Sequence, residues 1–381
     1  MSINLNNRNL ALDLIRGIAA LLVMMGHLRA SMFISNLELK NSEQLSFAGK
    51  IFYFLTSQGH NSVIIFFVLS GFLVGGSIIN NKSIFNFKTY VIKRLSRLWI
   101  PLFPVLILTF FVDRLISNIN ADVLKGGHHL FLNSGPLFDY SASLKTLLSN
   151  TFFFQGVFSP VYGSNGPLWS LANEFWYYIL FPLILLSVGF LQKNIKIKIT
   201  SILAAILIIA FVAHNMITGF FIWCLGVLVF QINKKTERKI KPFIVIISGL
   251  FFTISLTLKY VINSDLILLL NDIIVGISFS FFLICLLKSS IIIKYSLFSK
   301  KLIVFLSEIS YTLYIIHFPL ILLIYTIFYS EGKKLLSFIT GLEFFGWFSG
   351  ILIVSIAFWY MFERRTVMIR AKILNYYKLK F

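Results

Sequence analysis

Acidic side chains are scarce in this chain: 14 Asp and Glu stand against 34 Lys and Arg, and charged residues of both signs make up 13% of 381 positions. That leaves too little polar surface to cover a soluble globule, so the bilayer must be the main solvent. Cysteine is nearly absent. Cys224 and Cys285 both lie within apolar runs, where a thiol is usually a small buried hydrophobe, so they report nothing about redox compartment. No metal-ligand cluster, internal repeat, low-complexity tract or stretch large enough for a sizeable soluble domain is present. The net charge of +20 would suggest nucleic acid in a soluble protein, but here the basic residues sort by position between apolar runs.

What the chain has instead is hydrophobic length, with 58% hydrophobic residues and a mean hydropathy of +0.87. Apolar runs recur throughout, each able to cross a ~30 Å hydrocarbon core at about 1.5 Å per residue. They predict an all-α, polytopic helical bundle of about ten spans: 11–30, 61–80, 99–116, 166–190, 199–214, 217–232, 242–262, 266–287, 302–328 and 338–362. The first run carries Arg16 and His27 and reads as a retained span rather than a cleaved signal peptide. Lys and Arg concentrate in the segments around 82–97, 193–198, 234–241, 288–301 and 364–380, which puts both termini in the cytoplasm. The long segments 31–60 and 117–165 then face outward. The second holds Gly126-Gly127-His128-His129 and an apolar stretch, 147–158, too short to span. The whole chain, 1–381, reads as one membrane domain.

Ionisable groups deep in a span cost roughly 3 kcal/mol each on insertion scales, so each needs a partner, a wet cavity or a function. Arg16, His27, Glu174 and His317 stand out. Eleven residues separate Arg16 from His27, almost three helical turns, which sets them on one face about 16 Å apart. Counted from the inner boundary at 1.5 Å per residue, His27 lies about 24 Å deep, His317 about 22 Å and Glu174 about 18 Å, in one layer. A histidine beside a carboxylate suits proton transfer; a hydrogen-bonded packing histidine, with Tyr311, Tyr314, Ser170 and Asn173 as ordinary partners, is the alternative. Asp13 could likewise make Arg16 part of a helix-surface ion pair. At the inner mouth of the third span, Arg94 and Arg97 share a helix side and could fork onto phosphates or act as a positive-inside anchor.

Five segments in order carry a resemblance to the acyltransferase 3 family of bacterial membrane acyltransferases. They are Leu12-Asp13-Leu14-Ile15-Arg16-Gly17 running to His27; Phe66-Phe67-Val68-Leu69-Ser70-Gly71-Phe72-Leu73; the Arg94 and Arg97 pair; Leu168-Trp169-Ser170-Leu171-Ala172-Asn173-Glu174 to Phe181-Pro182; and Ser310-Tyr311-Thr312-Leu313-Tyr314 to His317-Phe318-Pro319. The resemblance implies a bundle of about ten helices that transfers an acyl group, most often acetyl from acetyl-CoA, to carbohydrate hydroxyls, in a bacterial cytoplasmic membrane and in contact with its lipid. It also implies roles: His27 as catalytic base, Arg16 as its motif partner, Glu174 near the reacting centre, Arg94 and Arg97 at the donor phosphates, and His317, Tyr311 and Trp169 on the substrate side. No permanently bound cofactor, metal or nucleic acid is implied. The chain departs from the family pattern at Phe175, where many members carry a second glutamate, and after Glu363, where many carry a proline. Some members add an extracytoplasmic esterase-like domain, which is not expected within the residues given after Phe362.

The rival from another class is a transporter or flippase of a glycan or small molecule, because midplane ionisable residues also mark proton relays and substrate paths.

Overall fold

The computed structural model describes residues 8–35, 45–125, 140–211, 214–236, 238–258, 265–290 and 296–377. Gly126-Gly127-His128-His129 and the end of the expected span 242–262 lie outside the described residues. Among the described residues the protein is all-helical, apart from isolated bridges such as Phe33 with Lys334. The helices in order are α1 (Leu10–Met32), α2 (Phe47–Thr56), α3 (Gly59–Asn80), α4 (Phe87–Asn120), α5 (Leu144–Thr151), α6 (Leu168–Ser187), α7 (Ile195–Phe211), α8 (His214–Lys235), α9 (Pro242–Ser255), α10 (Asp265–Leu287), α11 (Leu297–Phe328), α12 (Phe338–Met361) and α13 (Thr366–Tyr376).

Eight helices among the described residues are long and apolar enough to cross a bilayer. The other two expected spans coincide with α7 and α9, of 17 and 14 residues. At 1.5 Å per residue α9 is about 21 Å long, short of a ~30 Å core. Tertiary contacts divide the chain into two compact units. One comprises Met1–Arg16, His60–Phe87 and Asn173–Val304; the other comprises Gly17–Gly59, Lys88–Ala172 and Phe305–Phe381.

In the first unit α3 and α8 meet backbone to backbone. A Cβ on Gly226 would lie 1.9 Å from the Val68 carbonyl oxygen, and one on Gly71 would lie 1.8 Å from that of Trp223. Small residues let apolar helices approach this closely, because packing rather than water exclusion joins them in lipid. The contact falls where α3 widens into a π-helical turn, Gly71–Gly75. Gly226→Ala is expected to destabilise this unit by about 3 kcal/mol or more, since backbone atoms cannot yield as a side chain would. Gly350→Ala, with nothing within 4 Å of its Cβ, is the control expected to keep the wild-type melting temperature. Fluorescence-detected size exclusion after heating reads both, and equal melting temperatures would refute the close-packing argument.

In the second unit α11 carries Pro319 inside the helix. Proline has no N–H for the carbonyl four residues earlier, so the Ile315 oxygen loses its helical donor. The Asn165 side chain supplies one, with Nδ2 donating to Ile315 O at 2.8 Å. Asn165 is in turn placed by Asp113 on α4, whose Oδ2 accepts from the Ser164 N–H at 2.9 Å. Gly163 is required here: its φ is +57°, and a Cβ would lie 2.2 Å from the same carboxylate oxygen.

Candidate active site

The most distinctive polar contact in the second unit joins two ring nitrogens. His27 Nδ1 lies 2.8 Å from His317 Nε2, and the rings are parallel within 6°. His317 Nδ1 lies 3.0 Å from the Leu313 carbonyl oxygen one turn earlier on α11. A carbonyl only accepts, so Nδ1 of His317 carries the hydrogen and, in the neutral ring, Nε2 carries the lone pair. That lone pair accepts from His27 Nδ1–H. The basic nitrogen of a neutral His27 is therefore Nε2, the one left for a reacting group. This assignment follows from the hydrogen-bond network.

The surroundings hold the pair in place. His317 is completely buried, whereas His27 keeps partial exposure. The Phe318 ring stands edge-on to His27 with centroids 5.3 Å apart, and the Tyr314 ring is 6.0 Å from that of His317. Tyr314 is fixed at its far end by a 2.6 Å hydrogen bond between its hydroxyl and Ser170 Oγ. Gly26 brings α1 close to α2, since a Cβ there would lie 2.7 Å from the Thr56 carbonyl oxygen. The turn of α1 bearing His27 is thus packed against backbone.

Glu174 belongs to the first unit and has its own network. Its Oε1 accepts from Ser70 Oγ at 2.8 Å and from the Tyr178 hydroxyl, while Trp223 Nε1 donates to Ser70 at 3.1 Å. Ser70 immediately precedes the π-helical turn of α3, a distortion frequent at functional sites. Arg16 lies in the same unit, and Asp13, the acid expected beside it, accepts the Arg8 guanidinium on both oxygens.

A single family model, described as an acyltransferase domain, matches residues 9–364. The chain belongs to this acyltransferase family. The match runs through every motif that carried the resemblance. A Staphylococcus aureus (strain COL) protein named "Putative O-acetyltransferase" is 26% identical over 320 residues, which cover 75% of this chain and 50% of that protein. An "O-acetyl transferase" of Shigella phage Sf6 is 30% identical over 131 residues, 32% of this chain and 34% of that one. The chain thus spans about half the length of the staphylococcal relative. No solved structure matches.

Other residues of the family motifs also lie in the second unit. Arg94 and Arg97 lie at the cytoplasm-facing start expected for α4, both half-buried, with the Arg94 guanidinium 5.6 Å above the Tyr90 ring. The Tyr311 hydroxyl donates to the Leu98 carbonyl at 3.0 Å, tying α11 to α4 just before Pro101. Trp169 is half-buried in the first turn of α6, one residue before Ser170. Glu363, unassigned from sequence, accepts from the Thr312 hydroxyl at 2.5 Å and the Thr312 N–H at 3.1 Å, five residues before His317.

Asp113 escaped the sequence reading, although an acid inside the apolar run Phe110-Phe111-Val112-Asp113 is itself a signal. It is 1% exposed and orders the loop that caps the Ile315 carbonyl. Tyr140 hydrogen-bonds the same carboxylate; burial, reinforced by the Asp113 charge, pushes its phenol well above the usual range and keeps it a donor.

Proposed function

We propose that the chain is an integral-membrane O-acetyltransferase, moving acetyl from acetyl-CoA to a hydroxyl of an envelope or secreted carbohydrate. The observation that carries this reading is the Leu313 carbonyl–His317–His27 relay, which leaves His27 Nε2 as a base beside a partly open face. Nε2 takes the proton of the acceptor hydroxyl while its oxygen attacks the thioester carbonyl carbon. Collapse of the tetrahedral intermediate breaks the C–S bond, and the departing thiolate takes the proton back from His27. The imidazolium formed between these steps is stabilised by His317 through the Nδ1–H hydrogen bond, the part a carboxylate plays in a serine triad. Attack by Nε2 on the thioester itself, through an acetyl-histidine, uses the same lone pair.

In this reading Arg94 and Arg97 bind the donor phosphates, Tyr311 and Trp169 serve the substrate side, His317 acts through His27, and Glu174 and Arg16 keep the roles that the family resemblance implies. Both termini are cytoplasmic, in a bacterial cytoplasmic membrane, as the distribution of Lys and Arg favours. The pantetheine arm then reaches from an inner phosphate site to the His27 layer, about 16 Å along the helix.

Membranes from cells expressing the chain are expected to release free coenzyme A from acetyl-labelled acetyl-CoA and to carry the label into base-labile esters of a carbohydrate fraction. Label-free carbohydrate accompanied by movement of a glycan or of protons across the membrane would replace this reading with the transporter one.

A further inference from the structure

The segment that follows α4 bonds back to it far along its length, and α4 carries its own scale of depth. Phe103, Ile107, Phe111, Leu115 and Ile119 recur every fourth residue and are all exposed, so they form the stripe that meets hydrocarbon. Residues 140–165 touch α4 at three levels of that scale. The Ser164 N–H meets Asp113, the Asn165 side chain meets Thr109 Oγ1 at 3.3 Å, and the Thr151 carbonyl accepts from Trp99 Nε1 at 2.7 Å. Trp99 lies about 21 Å before Asp113 along the helix. Side chains of a helix lean toward its N-terminus, so the indole does not close that gap by reaching back toward Asp113. The N–H of Gly163 donates to the Ser141 carbonyl at 2.9 Å, so the chain enters and leaves side by side near Asp113.

The polarity of this segment is inverted for a loop in water. On α5 and the chain after it Leu144, Leu148, Phe152 and Phe158 are exposed, whereas Thr146, Asn150 and Gln155 are buried. Apolar groups outside and polar groups inside suit surroundings of hydrocarbon. The buried amides then do for the irregular backbone what water does at a surface. Asn150 Nδ2 donates to the Pro160 carbonyl at 3.0 Å, and its Oδ1 accepts from the Tyr162 N–H at 2.9 Å. Gln155 Nε2 donates to the Leu168 carbonyl at 3.0 Å. Between the two limbs the chain reverses at Phe153, a wholly buried residue with φ of +62°, a conformation that persists only where the surroundings fix it.

We infer that residues 141–165 form a re-entrant loop, which dips beside α4 from the level of Asp113 to that of Trp99 and returns. Its face of Leu144, Leu148, Phe152 and Phe158 lies against the acyl chains of the bilayer, continuing the lipid-facing stripe of α4. One limb is bonded at Thr151 to Trp99, two residues after Arg97; the other ends at Asn165, which holds the Ile315 carbonyl two residues before His317. The loop therefore extends between the same two positions, Arg97 and His317, as the donor arm under the reading above, and its place in the bilayer does not depend on that reading.

Nitroxide labels on single cysteines in the full chain, with Cys224→Ala and Cys285→Ala, test this in lipid nanodiscs. The labelled sites are Leu144→Cys, Leu148→Cys, Phe152→Cys and Phe158→Cys, with Phe111→Cys and Ile119→Cys on α4 as references. All six side chains are exposed, so labels there leave the packing intact. Leu148→Cys, Phe152→Cys and Phe158→Cys are expected to match Phe111→Cys, colliding more often with oxygen, which dissolves in hydrocarbon, than with a water-soluble nickel chelate. In doubly labelled chains the distance from Ile119→Cys to Phe152→Cys is expected to exceed that to Leu144→Cys by roughly 5 to 10 Å, as α5 descends. Nickel collisions that dominate at Phe152→Cys would lay the segment over the membrane surface and overturn the inference. Equal distances from Ile119→Cys to the two sites would overturn it as well.

Discussion

His27→Ala is expected to lower turnover by roughly 10²-fold or more, the usual scale for removing a positioned general base, while the protein still inserts and accumulates. The substitution removes the one ring nitrogen that the hydrogen-bond network leaves with a lone pair directed away from His317. His27→Gln separates chemistry from packing. A glutamine amide can still donate to His317 Nε2, so if His27 only bridged helices this variant would keep most of the activity. As a base it should be as defective as the alanine form. Initial rates of acetyl-CoA turnover, normalised to folded protein, decide between them.

His317→Ala is expected to cost nearly as much, roughly 10²-fold in kcat, although His317 is completely buried and meets His27 rather than substrate. It is a positioning residue, acting through the tautomer and orientation of its partner. Without the acceptor at Nε2, His27 can rotate or carry its hydrogen on the wrong nitrogen, and its imidazolium loses a hydrogen bond. The loss should fall on kcat with KM for acetyl-CoA little changed, because the donor's phosphates bind elsewhere in the proposed mechanism. His317→Gln can present an amide oxygen to His27 Nδ1–H and should restore a measurable part of the rate, whereas His317→Leu, similar in bulk, should not. Equal activity of the glutamine and leucine forms would show that His317 serves packing alone.

Much of this arrangement could be read by counting. A helix rises by the same increment at every residue, so depth follows from sequence, and position along the chain alone puts His27 and His317 in one layer. Which neighbour each ring bonds is another matter. It depends on the rotation of α1 and α11 about their axes, and the contact His27 makes is with His317, while Glu174 takes its hydrogen bonds from Ser70 and Tyr178. Lys88 counted toward the positive-inside pattern, and that pattern conceals its place 4.8 Å above the Tyr377 ring after α13. It records the side of a charge but not its neighbours. Glu363 is the clearest case. Its meaning lies in Thr312, 51 residues earlier, and no local pattern connects the two. The short α9 shows the converse, an apolar run whose hydropathy promised more helix than its described part provides.

The carbonyl released by Pro319 ties two distant positions into one inheritance. As long as 319 is proline, position 165 must present an N–H to Ile315, and even the near-isosteric aspartate would set oxygen against oxygen there. A chain that replaced the proline would close the helical hydrogen bond and release 165 from that demand. Substitutions at these two sites should therefore be tolerated in one order only, proline first and the amide afterwards, so the path of sequence drift near the active site has a direction that neither position reveals alone.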